Sequence, residues 1–239
     1  MLLGALSAQA GVAVSDNIYG IINIPITVGL NSIGINVLPL PGDSNLVQSL
    51  IVPNASMDVG TDLTTGDNLY TYSTGVGYSK YWLADQNGTN VWINGSGVKP
   101  AATPGMGLWI KAAGATTLYQ VGLVSTNATR TVDCPVGDTF IASPYAGLVD
   151  FDGANSDVNW TGVAASEKYD IFTADLIRIW DGIGYKTYYY FNNASYPAYT
   201  GWYDAEGNSP SEIDAGKGFW FVRRTANQTT TAITFGKPF

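Results

Sequence analysis

The sequence contains no histidine. Histidine is the side chain that most often transfers protons near neutral pH, and it is the commonest ligand for transition metals. A Ser-His-Asp triad and a histidine zinc site are therefore excluded. Because no nucleophile constellation is recognisable either, the sequence predicts that the protein is not an enzyme.

Cysteine is almost absent, since Cys134 is the only one. One cysteine allows neither an internal disulfide nor a thiolate metal cluster. No basic residue stands beside Cys134 to lower its pKa, so we interpret it as a small buried strand residue and not as a reactive thiol.

Charge is scarce, at 13% of the residues, and Asp+Glu 19 against Lys+Arg 11 gives a net charge of −8. A chain of this sign lacks the cationic surface that drives nucleic-acid binding, so nucleic acid is excluded as a partner. The neutral polar surface is unusual for a cytosolic protein. No run of roughly 18 apolar residues occurs, so no transmembrane helix is predicted.

Residues 1–16 resemble the apolar part of a secretory signal, with Ala8-Gln9-Ala10 as a cleavage box but no basic residues before it. The segment is either cleaved or kept as an apolar N-terminal arm. Both readings predict an extracellular or cell-surface protein. Seven Asn-x-Ser/Thr sequons favour glycosylation there, or mark turns before strands: Asn54, Asn87, Asn94, Asn127, Asn159, Asn193 and Asn227.

The two halves of the sequence are similar to each other. The segment from Asn68 to Trp82 aligns without gaps on the segment from Asp175 to Tyr189, and each has the pattern of a hairpin with a Gly-x-Gly turn. Downstream, the residues around Trp109 match those around Trp220. We therefore expect two diverged copies of one unit, at 17–124 and 125–239.

Strand signals dominate, because β-branched and aromatic residues recur between short turn clusters and no long stretch has a helical period. The sequence predicts an all-β fold of two tandem, internally duplicated β-sandwich-like units. The segment from Gly20 to Val28 alternates cleanly, and Pro25 within it, which has no N–H, favours the edge of a sheet.

The order of these motifs resembles a family of secreted, β-rich, internally duplicated proteins of verrucomicrobial-type bacteria. The segments that carry it are an apolar strand from Gly20 to Pro25, a strand from Asn36 to Pro39, the aromatic hairpin from Leu69 to Trp82, and the strand from Pro104 to Ile110. The second copy has Ala215 where the pattern has proline. The resemblance implies a secreted, β-rich protein and carries no catalytic residues.

Oxygen ligands alternate around a glycine turn in one segment, comprising Asp150, Asp152, Asn155 and Asp157. Hard cations use such an arrangement, so Ca²⁺ is the one cofactor that the sequence suggests. The segment lacks the distal glutamate of an EF-hand, and the pattern favours plain turn chemistry over a cation site.

Asp204 and Glu206 lie beside Trp202, where paired carboxylates could act in a glycosidase. Two acids in one turn are common, which favours a structural interpretation. The abundant aromatic residues suit stacking on sugar rings, but Trp109 and Trp220 hold equivalent repeat positions and are better explained as core. We expect any binding face in irregular loops around Tyr189 to Phe191 and around Tyr196 and Tyr199.

These features predict a non-enzymatic extracellular structural subunit of a filament or surface layer, with copies of itself as partners. Assembly would come from the apolar N-terminal strand pairing with the sheet edge of a neighbour and burying side chains there. The residues expected to do so are Ile18, Ile22, Ile24, Ile26 and Val28. The alternative is a monomeric glycan-binding adhesin, and a glycoside hydrolase is a third hypothesis.

Overall fold

The computed structural model of the chain describes residues 18–151, 158–160, 162–166, 170, 172–193, 195–210, 212–224 and 231–237. It is all-β, with 49% strand and 3% helix, which confirms the predicted class at that level. Four small antiparallel sheets form a propeller-like ring. In the part that the structure describes, no helix is long and apolar enough to cross a membrane.

The first half contributes a three-stranded and a five-stranded sheet, in the orders β1-β8-β3 and β2-β7-β4-β5-β6. One four-residue helix, α1 (Val47–Leu50), precedes β3. The strands are β1 (Tyr19–Ile26), β2 (Gly29–Gly34), β3 (Ile51–Val52), β4 (Asn68–Ser73), β5 (Gly77–Gln86), β6 (Thr89–Ile93), β7 (Gly107–Ala112) and β8 (Thr116–Leu123).

The second half contributes two further sheets, in the orders β9-β16-β11 and β10-β15-β12-β13-β14. Strand for strand, these orders repeat those of the first half. A short 3₁₀ helix, Pro197–Tyr199, precedes β14. The strands are β9 (Thr129–Cys134), β10 (Gly137–Ala142), β11 (Val158–Asn159), β12 (Leu176–Trp180), β13 (Tyr185–Phe191), β14 (Gly201–Tyr203), β15 (Gly218–Arg223) and β16 (Thr231–Gly236).

Each half has its own hydrophobic core, filled from both of its sheets. Successive side chains of a strand point to opposite faces, so the alternating apolar residues of a strand fill one core. Trp92 on β6 and Trp202 on β14 are fully buried, each in the core of its own half. β1 lies at a sheet edge, where the missing N–H of Pro25 costs no hydrogen bond between strands.

The two aromatic hairpins correspond with a shift that the sequence comparison misses. The last aromatic pair is Tyr72 with Tyr78 in the first hairpin and Trp180 with Tyr185 in the second. Tyr78 and Tyr185 have the same place in their hairpins, whereas Tyr72 has the place of Trp180 and not of Ile179. The second turn is one residue shorter, so the ungapped alignment is wrong over the first strand of the hairpin.

The corrected register places Asp67 at the position of Asp175. The Asp67 carboxylate accepts two backbone N–H groups, at 3.1 Å from the preceding loop and at 2.8 Å from the residue after β7. The Asp175 carboxylate accepts two in the same places, at 2.9 Å from its preceding loop and at 2.7 Å from the residue after β15. Both carboxylates therefore hold a loop to their five-stranded sheet.

Backbone hydrogen bonds join the two halves in two places. The Gly34 N–H donates to the Gly216 carbonyl and the Ala142 N–H donates to the Gly105 carbonyl, both at 2.8 Å. In each pair, the last residue of β2 or β10 bonds to the turn that precedes β15 or β7. The halves thus contact each other through equivalent elements.

A stack of buried rings also crosses this junction. Phe140 of the second half lies between Trp109 and Trp220, with ring centroids 5.0 and 4.8 Å apart. The ring planes of Trp109 and Phe140 differ by 6° only, a close stacked contact. Burial of these large rings stabilises the contact between the halves.

Candidate functional site

An open groove of about 560 Å³ lies where the two halves meet. One wall is the face of β4, β5 and β7 that points away from the core, and the other is the β12–β13 hairpin. The groove is mostly aromatic and carries two lysines. Its lining residues are Gly29, Leu30, Tyr70, Tyr78, Lys80, Trp109, Lys111, Trp180 and Tyr185. This groove is the candidate site.

The antiparallel register sets the first wall. Tyr70 on β4 stands opposite Lys80 on β5 and opposite Trp109 on β7, so the three form one row across the sheet. Tyr78 and Lys111 are each two residues from a member of that row and therefore point to the same face. Leu69, Leu108 and Ile110, which alternate with members of this row along β4 and β7, are buried in the core instead.

The second wall is fixed by hydrogen bonds. The indole N–H of Trp180 donates to the Leu30 carbonyl at 3.2 Å, which ties the hairpin to the first half. The Tyr185 hydroxyl accepts the indole N–H of Trp220 at 3.1 Å. The rings of Trp180 and Tyr185 are nearly perpendicular to that of Trp109, at 86° and 88°. The aromatic walls are therefore preorganised.

The groove is cationic in an acidic protein. Its lining includes Lys80 and Lys111 and no carboxylate. Both lysines are exposed, and the one ion pair among the described residues joins Arg223 and Asp175, so neither lysine is neutralised by a salt bridge there. Burial raises the pKa of Tyr78 above its ordinary value, so its hydroxyl stays protonated and can donate a hydrogen bond.

The chemistry that this lining offers is binding. The nine residues supply aromatic faces, phenol groups and two ammonium groups, and they include no carboxylate, thiol or serine. Aromatic faces bind the apolar faces of rings, and ammonium groups bind anions. A reaction that needs a pair of acids has no such pair in the groove lining.

The structure separates most of the sequence-predicted aromatic residues from this site. Trp220 is buried in the ring stack and Trp109 is buried beneath the groove, as the core interpretation predicts. Tyr189 and Phe191 belong to a buried strand and not to a loop, so the prediction that they form a binding face is wrong. Tyr196 and Tyr199 are exposed, but their rings meet at 62° and offer no flat platform.

Asp204 and Glu206 form a turn. Asp204 Oδ1 accepts the backbone N–H groups of Glu206 at 3.0 Å and of Asn208 at 2.8 Å. The bond from Asn208 is the main cause that lowers the pKa of Asp204. A carboxylate held in this way serves its own turn, which supports the structural interpretation of the pair.

The suggested Ca²⁺ segment lies mostly outside the described residues. Asp150 is described, whereas Asp152, Asn155 and Asp157 are not. Among the residues that are described, no cluster of three or more acidic, cysteine or histidine side chains could hold a metal.

The sequons lie on turns and exposed strands, except that Asn227 is outside the described residues. Asn87 occupies a hairpin turn with φ 57°, and Asn127 and Asn159 are exposed. Asn94 and Asn193 accept backbone N–H groups two residues on, as turn formers do. Asn54 donates its Nδ2, the atom to which a glycan would be attached, to the Thr117 carbonyl.

The residues predicted to assemble subunits divide into two groups. Ile24 and Ile26 are buried in the core of their own half, and Ile22 packs against it, because β1 pairs with β8 of the same chain. A single chain thus buries these three side chains by itself, and their entry into the core of a neighbour stays a prediction. Ile18 and Val28 are exposed at the two ends of β1.

The sequence contains one local signal for the groove. An aromatic residue stands two positions before a lysine in both Tyr78-Ser-Lys80 and Trp109-Ile-Lys111. In a strand this spacing puts both side chains on one face. The sequence alone does not say that the two strands flank a third, so it does not bring the two lysines to one groove.

No protein-family model matches the chain, and no curated protein or solved structure shows significant similarity to it. The function is therefore argued from the site itself.

Proposed function

We propose that the protein is a non-enzymatic, extracellular surface protein that binds glycans through the aromatic groove. The observation that carries the proposal is the pair of tyrosines at the mouth of the groove. Tyr78 is 50% exposed and Tyr185 is 45% exposed, although both pack against buried tryptophans. An aromatic ring that is held firmly and left half open suits stacking on a pyranose ring.

Three further properties support binding of a sugar over other ligands. The rings are fixed before binding, which lowers the entropic cost of association. The tyrosine hydroxyls and lysine ammonium groups supply the hydrogen bonds that sugar hydroxyls require. The groove is also open at the surface, so it can bind a segment within a long saccharide chain as well as a chain end.

Removal of the exposed rings tests the proposal. We expect Tyr78→Ala and Tyr185→Ala to weaken oligosaccharide binding by about tenfold each, because a stacked ring contributes roughly 0.5–1.5 kcal/mol beyond the area it buries. Calorimetric titration with a panel of oligosaccharides measures the change. Tyr119→Ala is the matched control, because Tyr119 is 42% exposed but lies outside the groove. Equal effects of all three variants would contradict a site in the groove.

The compartment and the relationship of the two halves are parts of the same proposal. Secretion is supported by the apolar residues 1–16, by the neutral polar surface and by the resemblance to secreted verrucomicrobial-type proteins, and glycosylation of the exposed sequons is compatible with it. Two duplicated sandwich-like units are supported by the repeated strand orders and by one core per half. The bonds of Asp67 and Asp175 add to that support.

A second candidate function is the structural subunit of a filament or surface layer. One observation favours it: the outer face of the β1-β8-β3 sheet is apolar and exposed. Ile21 is 69% exposed and pairs with Val121, and Tyr119 pairs with Val52 on the same face. An exposed apolar face of this kind often marks a contact with another protein.

The fold itself does not require that face to be apolar. In the sheet β9-β16-β11, the position of Ile21 is held by Thr129 and the position of Tyr119 by Thr234. The same strands therefore tolerate polar residues in the second half. A contact between copies of the chain would account for the apolar residues in the first half.

Sedimentation of the full chain tests this second function. We expect concentration-dependent self-association at neutral pH, and we expect the double variant Ile21→Thr/Tyr119→Thr to sediment as a monomer. The substituted residues are those that the equivalent sheet already carries, so folding should be retained. Tyr78→Ala, which removes an exposed tyrosine elsewhere, should still associate. A wild-type chain that remains monomeric at high concentration would exclude the structural role.

A further inference from the structure

We infer that the groove is selective for an acidic saccharide, whose carboxylate or sulfate groups bind Lys80 and Lys111 while its rings contact the tyrosines. The inference rests on the proposed glycan-binding function and adds the chemical class of the ligand. It is carried by the placement of the two lysines, by their charge and by what stands at the equivalent positions of the second half.

The two lysines converge on one face from different strands. Lys80 on β5 and Trp109 on β7 flank Tyr70 on the strand between them, and Lys111 lies two residues beyond Trp109. The two lysines are separated by two inter-strand spacings across the sheet and by two residues along the strand. Their Cα atoms are therefore about 12 Å apart. The aromatic residues of the groove lie between and beside them. A ligand that follows the groove therefore meets cation, ring and cation in turn.

The groove lining carries charge of one sign. The chain as a whole carries eight more acidic than basic residues, yet the groove lining holds two lysines and no acid. Neither lysine belongs to an ion pair among the described residues. Two unpaired like charges beside one groove repel each other, and an anionic ligand would relieve that repulsion. In the corresponding row of the second half the one cation is Arg178, which takes the position of Tyr70 and not that of either lysine.

The equivalent positions show that the lysines are not a requirement of the fold. In the second half, the position of Lys80 is held by Thr187 and the position of Lys111 by Val222. Strands of the same order and pairing therefore form without either cation. The two lysines are a property of the groove, whose other wall is the β12–β13 hairpin.

A saccharide with acid groups on more than one ring fits this arrangement best. Cations whose Cα atoms are about 12 Å apart suit separate anionic groups, as an oligomer of uronic acids or of sulfated sugars presents. The perpendicular rings of Trp109 and Trp180 close the floor and one wall, so the sugar rings contact the exposed Tyr78 and Tyr185 at the mouth.

The test compares four probes of one chain length by calorimetric titration: an oligouronate, the same oligomer with its carboxyl groups methyl-esterified, a neutral hexose oligomer and a sulfated hexose oligomer. We expect at least one of the two acidic oligomers to bind at least tenfold more tightly than the uncharged ones. The preference should shrink as salt is raised, because the contact is charged and exposed. Which acidic oligomer binds distinguishes carboxylate from sulfate.

The double variant Lys80→Gln/Lys111→Gln should lose that preference and keep the weaker affinity for uncharged oligomers. Lys99→Gln, a lysine outside the groove, is the matched control and should behave as wild type. If all four probes bind the wild type equally and the double variant changes nothing, the acidic preference is overturned while glycan binding stands. If no probe binds and Tyr78→Ala has no effect either, the proposed function itself fails.

Discussion

Replacing Gly34 with alanine is expected to lower the free energy of unfolding by about 3 kcal/mol, a large effect for one methyl group. An added Cβ at this position would lie 2.5 Å from the Ala142 Cβ and 2.5 Å from the Lys217 carbonyl oxygen. Neither neighbour is the end of a flexible side chain. The strand cannot simply move away, because the Gly34 N–H bonds to the Gly216 carbonyl across the junction between the halves.

The control for this substitution is Gly114→Ala. Gly114 has nothing within 4 Å of the position that its Cβ would take, so alanine should be tolerated there or stabilise slightly. Urea denaturation of both variants measures the difference in unfolding free energy. Similar values for the two variants would mean that the halves do not meet as closely as the structure has them.

Asp175→Asn is expected to destabilise the protein by about 3–5 kcal/mol, the range for breaking a buried ion pair by removing one partner. The Asp175 Oδ2 lies 3.7 Å from the Arg223 Nε, and both side chains are fully buried. The asparagine would keep the size of the side chain but remove the negative charge that Asp175 places beside the guanidinium. Its amide nitrogen would also face a backbone N–H that the carboxylate now accepts.

Asp67→Asn provides the matched comparison. Asp67 accepts the two corresponding backbone N–H groups, and no ion pair is formed by it among the described residues. Its replacement should cost about 1–3 kcal/mol, the range for a buried hydrogen-bonding group that loses a partner. The difference between the two variants, measured by urea denaturation, isolates the effect of Arg223. Equal losses would show that the arginine contributes nothing to stability.

The pH dependence of both aspartates has an unusual sign. Burial raises the pKa of Asp175 and of Asp67 above the ordinary aspartate value of 3.8, in spite of their hydrogen bonds. At pH values between 3.8 and the raised pKa, the folded state keeps a proton that the unfolded chain has lost. The contribution of these groups to stability therefore falls as pH rises through that window. The stability difference between wild type and each asparagine variant, followed against pH, reports this directly.

Patterns within short segments of the sequence predict single strands and turns better than they predict which distant residues pair. Alternating residues, Pro25 and the Gly-x-Gly turns mark strands, an edge and two hairpins, because each depends on neighbours in sequence. The one-residue shift between the hairpins was missed because Asp175 aligned with Asn68 by similarity. What identifies Asp67 as its counterpart is a pair of backbone bonds to distant loops, and no local pattern encodes those.

The groove could not be predicted from the sequence for the same reason. Tyr70, Lys80 and Trp109 form a row only because β4 lies between β5 and β7, and that order follows from long-range pairing. For Ile24 and Ile26, the sequence did not reveal a competing sheet edge within the same chain. An apolar strand seeks any free edge, and β8 of the same chain offers one that no neighbour has to supply.

The groove has one wall from each half, since Lys80 belongs to the first and Trp180 to the second. Neither half has this site alone. A ligand that contacts both walls therefore links the two halves. It binds only those protein molecules in which the halves have docked correctly. The end point of a binding titration then counts the correctly assembled fraction of a preparation, including molecules that spectroscopy would score as folded because each core is intact. Bound ligand should likewise raise the mechanical force that is needed to separate the two halves.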